Sequence, residues 1–96
     1  MMSEKDRTLL KIIIMSKIRR YLMELGNPIS SSSVDGVIAR SYQASTIHEI
    51  LRLIECSDDD PALVISEFIK SVNRRSGLLF RVAYDTAVDL YDHLFV

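Results

Sequence analysis

Apolar residues recur along this chain in steps of three and four, and no segment alternates in steps of two, which predicts helices and no sheet. Residues 9–25, LLKIIIMSKIRRYLMEL, show the pattern most strongly. At about 100° per residue, Leu10, Ile14, Ile18, Tyr21, Leu22 and Leu25 share one side, the width that a core-facing stripe requires. The opposite side holds Leu9, Ile12, Ile13 and Met23 among Lys17, Arg19 and Arg20. A helix that is apolar on two sides needs cover from two directions. Either it runs through the middle of its own domain, or its outer face meets another chain.

The remaining elements follow from start and stop signals. Residues 1–7 are expected to fray, with Ser3, Glu4 and Asp6 supplying the cap and the negative charge that a helix start favours. Gly26 and Pro28 stop the first helix near Leu25, and residues 27–33, NPISSSS, form a polar loop. Ser32 and Asp35 open a short helix that places Val34, Val37 and Ile38 on one face and ends near Tyr42, weakened by Gly36. A third helix starts at Ser45 or Thr46, where Glu49 completes a capping box, and buries Ile47, Ile50, Leu51 and Ile54.

After Cys56, residues 57–61 read SDDDP, in which Asp60 is a good N-cap and Pro61 suits the first helical position. The fourth helix carries Ala62, Val64, Ile65, Phe68, Ile69 and Val72 on one side and ends near Arg75, before Gly77. The fifth runs from Leu78 to the C-terminus, with Phe80, Ala83, Tyr84, Ala87, Val88, Tyr91, Leu94 and Phe95 toward the core. The expected fold is all-α: one helical domain over 1–96, a compact bundle or orthogonal array of four main helices plus one short helix.

Composition narrows the function more than it identifies it. With 48% hydrophobic and 26% charged residues, the chain has the make-up of a globular domain with one modest core. Twelve Lys and Arg against thirteen Asp and Glu leave a net charge of -1, so any attraction to nucleic acid or to a membrane surface has to be local. A single cysteine, Cys56, excludes an internal disulfide and a four-thiolate zinc site, and it fits a reducing compartment. The opening MMSEKDRT lacks the basic start of a secretory signal, and Lys11 and Lys17 interrupt the apolar run that follows, so no membrane segment is expected and a cytoplasmic location is.

No group of residues has the spacing of a catalytic centre. There is no glycine-rich phosphate loop and no nucleophile elbow, Cys56 is expected to pack as an inert thiol, and Tyr21, Tyr84 and Tyr91 sit on core faces. Asp89 and His93 have the four-residue spacing of helical metal pairs, beside Asp85 and Asp92. Arg81 stands four residues before Asp85, however, and an outward acidic stripe keeps an apolar helix in solution. No catalytic residue, metal or cofactor is expected.

Two patterns bear on binding. Arg19, Arg20, Lys70, Arg74 and Arg75 occupy the closing turns of two helices, and would form a basic patch for phosphates if those ends met, although cations there also answer the helix dipole. Residues 37–51, VIARSYQASTIHEIL, resemble the start of a helix-turn-helix, departing from it at Gln43, where the turn wants a small residue, and at Glu49, where it wants a buried aliphatic. Charge in the second half is unfavourable for a groove, with Arg52 alone against Glu49 and Glu55. The expectation is therefore a small non-enzymatic interaction or regulatory module with a protein partner. A homodimer through Leu9, Ile12, Ile13 and Met23 of the first helix is its simplest form. Nucleic-acid binding through the basic helix ends and the degenerate helix-turn-helix is the alternative.

Overall fold

The organising element is one long helix where the sequence predicts two. The computed structural model describes residues 3–25 and 34–96, which form α1 (Glu4–Glu24), α2 (Val34–Cys56), α3 (Pro61–Asn73) and α4 (Leu78–Phe95). The fold is the expected all-α bundle, and every element among the described residues is a helix. The Gly26–Pro28 stop, the serine loop and the cap at Ser32 lie outside the described residues.

The expected break between Tyr42 and Ser45 is absent, and the short helix continues into the next as α2. No proline or glycine interrupts residues 37–56, and Gln43 and Ala44 are compatible with a helix interior. Thr46 does not cap a new helix. Its hydroxyl donates to the Tyr42 carbonyl at 2.8 Å, the backward bond of a mid-helix threonine. The turn of a helix-turn-helix is therefore missing from 37–51.

α1 also starts earlier than expected, taking in residues 4–7. Ser3 accepts a hydrogen bond from the Asp6 amide at 3.1 Å, and Glu4 and Asp6 place negative charge in the first turn. At the other boundary the sequence reading holds: Asp60 accepts from the Ala62 amide at 2.9 Å, and Pro61 opens α3. Gly77 precedes α4 with φ 123°, a conformation that side-chain-bearing residues rarely adopt, which lets the chain reverse from α3 into α4.

Packing is arranged around α2 and α4. α1 lies on both, α3 lies on both, and α1 and α3 scarcely meet. Ile14, Met15 and Ile18 of α1, Ile47, Ile50, Leu51 and Ile54 of α2, Ile65 of α3, and Ala87 and Leu90 of α4 form the buried core. The four expected core residues of α2 are all present. In α4 the buried seam is Thr86, Ala87 and Leu90: Ala87 is expected, whereas Thr86 and Leu90 lie off the expected arc, because α4 is covered by α2 and α3 together with α1. Thr86 is a polar exception, since its buried hydroxyl has no hydrogen-bond partner among the described residues.

α1 and α2 run antiparallel, and each sends a cation to the other's last turn. Lys11 donates to the carbonyls of Glu55 and Ser57, both at 2.9 Å, and the Arg40 guanidinium donates to the Leu25 carbonyl. Carbonyls at a helix C-terminus have no intrahelical donor and carry partial negative charge, so both contacts complement the dipole as well as the hydrogen-bonding deficit. Replacing Lys11 by methionine keeps the aliphatic stem and removes the ammonium. The expected loss is about 1–2 kcal/mol, read from the shift of the urea midpoint at unchanged slope.

Candidate functional site

Two apolar surfaces remain after the core is assembled. The first is the outer side of α1, where Leu9 is 57%, Ile12 59%, Ile13 43% and Met23 81% exposed. Leu9, Ile12 and Ile13 adjoin at three- and four-residue spacing. Met23 stands apart, about 15 Å beyond Ile13 along the axis. On the helical wheel the arc between Ile12 and Ile13 also carries Lys5, Ser16 and Arg20, all exposed, and no acid. Arg19 borders the arc on one side, and Asp6 and Glu24 border it on the other. α1 thus threads no interior: one side meets α2 and α4, and the other carries uncovered aliphatics.

The second surface was not foreseen. Tyr42 and Leu53 of α2, Leu63 and Phe68 of α3, and Leu79 and Phe80 of α4 line an open groove of about 670 Å³. Tyr42, Leu53, Leu63 and Leu79 are among the exposed large apolar residues of the molecule. Glu49, Asp59 and Glu67 stand along it against a single cation, Arg75. Lys70 lies 3.6 Å from Glu67, but this is an exposed pair that adds little to stability. No residue of α1 lines the groove. Tyr42, Leu53, Leu63 and Leu79 lie off their helices' core stripes, as do Leu9 and Ile12 on α1, and that is the signal by which they are found.

A larger hollow of about 730 Å³ lies at the joint between the start of α1 and the α2–α3 turn, lined by Glu4, Arg7, Thr8, Leu10, Lys11 and Ser57 through Pro61. Three of its polar side chains are committed to the fold. Asp60 caps α3, Lys11 bonds the end of α2, and the Ser57 hydroxyl accepts from the Asp59 amide.

The basic residues are divided between two places. The Arg75 guanidinium lies 5.3 Å from the centroid of the Phe80 ring at the start of α4, whereas Tyr21, next to Arg20, lies 5.1 Å from His93 at its end. Phe80 and His93 are about 20 Å apart along α4. By chain proximity Arg19 and Arg20 therefore lie nearer one end of that helix, and Arg74 and Arg75 nearer the other. The condition for one patch, that the two helix ends meet, is not fulfilled.

The remaining titratable groups have structural surroundings. Arg81 and Asp85 pair at 3.5 Å as their spacing predicts. No group of three or more His, Cys, Asp or Glu able to hold a metal occurs among the described residues. Cys56 is exposed at the end of α2 instead of packed, because its position follows the buried Ile54 by two residues and falls off the core stripe. No helix among the described residues is long and apolar enough to cross a membrane.

Burial, and then the Asp89 carboxylate, push the Tyr21 phenol above its ordinary value of 10.0. The folded state thus favours the neutral phenol, while the unfolded chain ionises at lower pH. Tyr21's contribution to stability is complete below pH 10.0 and is lost as pH rises from there through the folded value. Urea midpoints of the wild type and Tyr21→Phe are expected to keep a constant difference from neutral pH up to that point. Above it, the wild type should fall faster.

The chain matches no family model, no curated protein and no solved structure.

Proposed function

We propose that this chain is a non-enzymatic helical module for protein–protein interaction, regulatory in role, that self-associates through α1. The observation that carries this reading is the outer face of α1. Leu9, Ile12 and Ile13 lie uncovered beside one another although the core under the same helix is complete with Ile14, Met15 and Ile18. Adjacent exposed aliphatics on a helix favour association, because covering them removes apolar surface from water at roughly 25 cal/mol per Å². The single cysteine fits a reducing, cytoplasmic setting for the module.

The test is the mass in solution across a concentration series. Sedimentation equilibrium is expected to show a rise toward twice the mass of one chain. Ile12→Glu should remain monomeric with unchanged helicity, since position 12 contributes nothing to the core. A wild type that stays monomeric at millimolar concentration overturns the reading.

A further inference from the structure

We infer that the outer face of α1 docks in the α2/α3/α4 groove of a second copy of this chain. This inference rests on the proposal that α1 mediates self-association, and it names the surface that α1 meets. Two features of the two surfaces agree. Both carry exposed apolar residues: Leu9, Ile12 and Ile13 side by side on one, with Met23 farther along, and Tyr42, Leu53, Leu63 and Leu79 on the other.

Their charges are opposite. The α1 arc holds Lys5 and Arg20, with Arg19 at one margin and Asp6 and Glu24 at the other, whereas the groove holds Glu49, Asp59 and Glu67 against Arg75 alone. Pairing α1 with α1 would bring cations of the same arc together, with carboxylates only at its margin, Asp6 and Glu24. Pairing α1 with the groove brings cations to acids, and complementarity of this kind selects between otherwise similar apolar docking modes. A chain's own α1 is already packed on α2 and α4 and lines no part of the groove, so an α1 seated there belongs to another copy.

Mixing two defective surfaces tests this directly. Ile12→Glu spoils the helix and keeps the groove, and Leu63→Glu spoils the groove and keeps the helix. Leu79→Glu serves as a second groove variant on a different helix, and unchanged helicity and unfolding midpoint are required of all three. Each variant alone is expected to self-associate about 10-fold more weakly or worse. Labelled Leu63→Glu titrated with Ile12→Glu should nevertheless bind saturably, because that mixture contains one intact helix face and one intact groove. High salt should weaken this binding.

If both groove variants associate like the wild type while Ile12→Glu does not, docking in the groove is overturned and self-association through α1 stands. Groove and helix variants that are each monomeric and fail to bind one another also overturn it. A monomeric wild type removes both proposals.

Discussion

Ala44→Pro is expected to destabilise the protein by about 3 kcal/mol or more, a large share of the roughly 5–15 kcal/mol that holds a domain of this size together. Position 44 lies inside α2, ten residues after Val34 and twelve before Cys56. A proline there deletes the amide that bonds the carbonyl of Arg40 and drives its ring against that carbonyl. It would also displace Arg40, whose guanidinium closes the end of α1. Thermal unfolding followed by helicity should show the midpoint falling by on the order of 15 °C. A proline variant that melts with the wild type would mean that the chain turns at this point, as a helix-turn-helix does, and that α2 is two helices.

The second large effect separates two neighbours on the same helix. Ile54→Ala is expected to cost about 3 kcal/mol, since Ile54 is 1% exposed and its removal leaves a cavity among Ile18, Ile50 and the other core aliphatics. Leu53→Ala, one residue earlier and 39% exposed, should change stability by no more than about 0.5 kcal/mol. Urea unfolding of the pair reads this contrast under one set of conditions. The same Leu53→Ala variant should weaken self-association, because the side chain it shortens lines the groove. Equal losses of stability from both positions would place the groove inside the core.

Much of this architecture was legible in the sequence because helices announce themselves by period. The core of α2, the Asp60–Pro61 start of α3 and the two-sided character of α1 all follow from spacing and from capping chemistry. What misled was chemistry with two uses. Ser45, Thr46 and Glu49 have the types of a helix start, yet a threonine hydroxyl is equally able to bond the carbonyl one turn behind it, and packing of α2 along its length decided which. Leu90 was missed for a related reason. A helix covered by several neighbours buries an arc set by where those neighbours lie, and a wheel drawn for one helix does not contain that information.

The candidate surfaces divide in the same way. Leu9, Ile12, Ile13 and Met23 are visible in one helix alone, because one helix supplies the whole face. The groove needs Tyr42, Leu53, Leu63 and Leu79 from three helices, and only tertiary packing sets them along a single hollow. The basic residues show the converse. Arg20 and Arg75 look equivalent as closing-turn cations, and α4 holds their surroundings apart.

The unbroken run of α2 has a further consequence for how fast two molecules engage. One wall of the groove is a continuous rod, and the α1 face is already folded on its own core, so neither surface has to be ordered during an encounter. Entropy lost on contact is then confined to side chains and to tumbling, and the collision proceeds as between rigid bodies whose approach is guided by opposite fields.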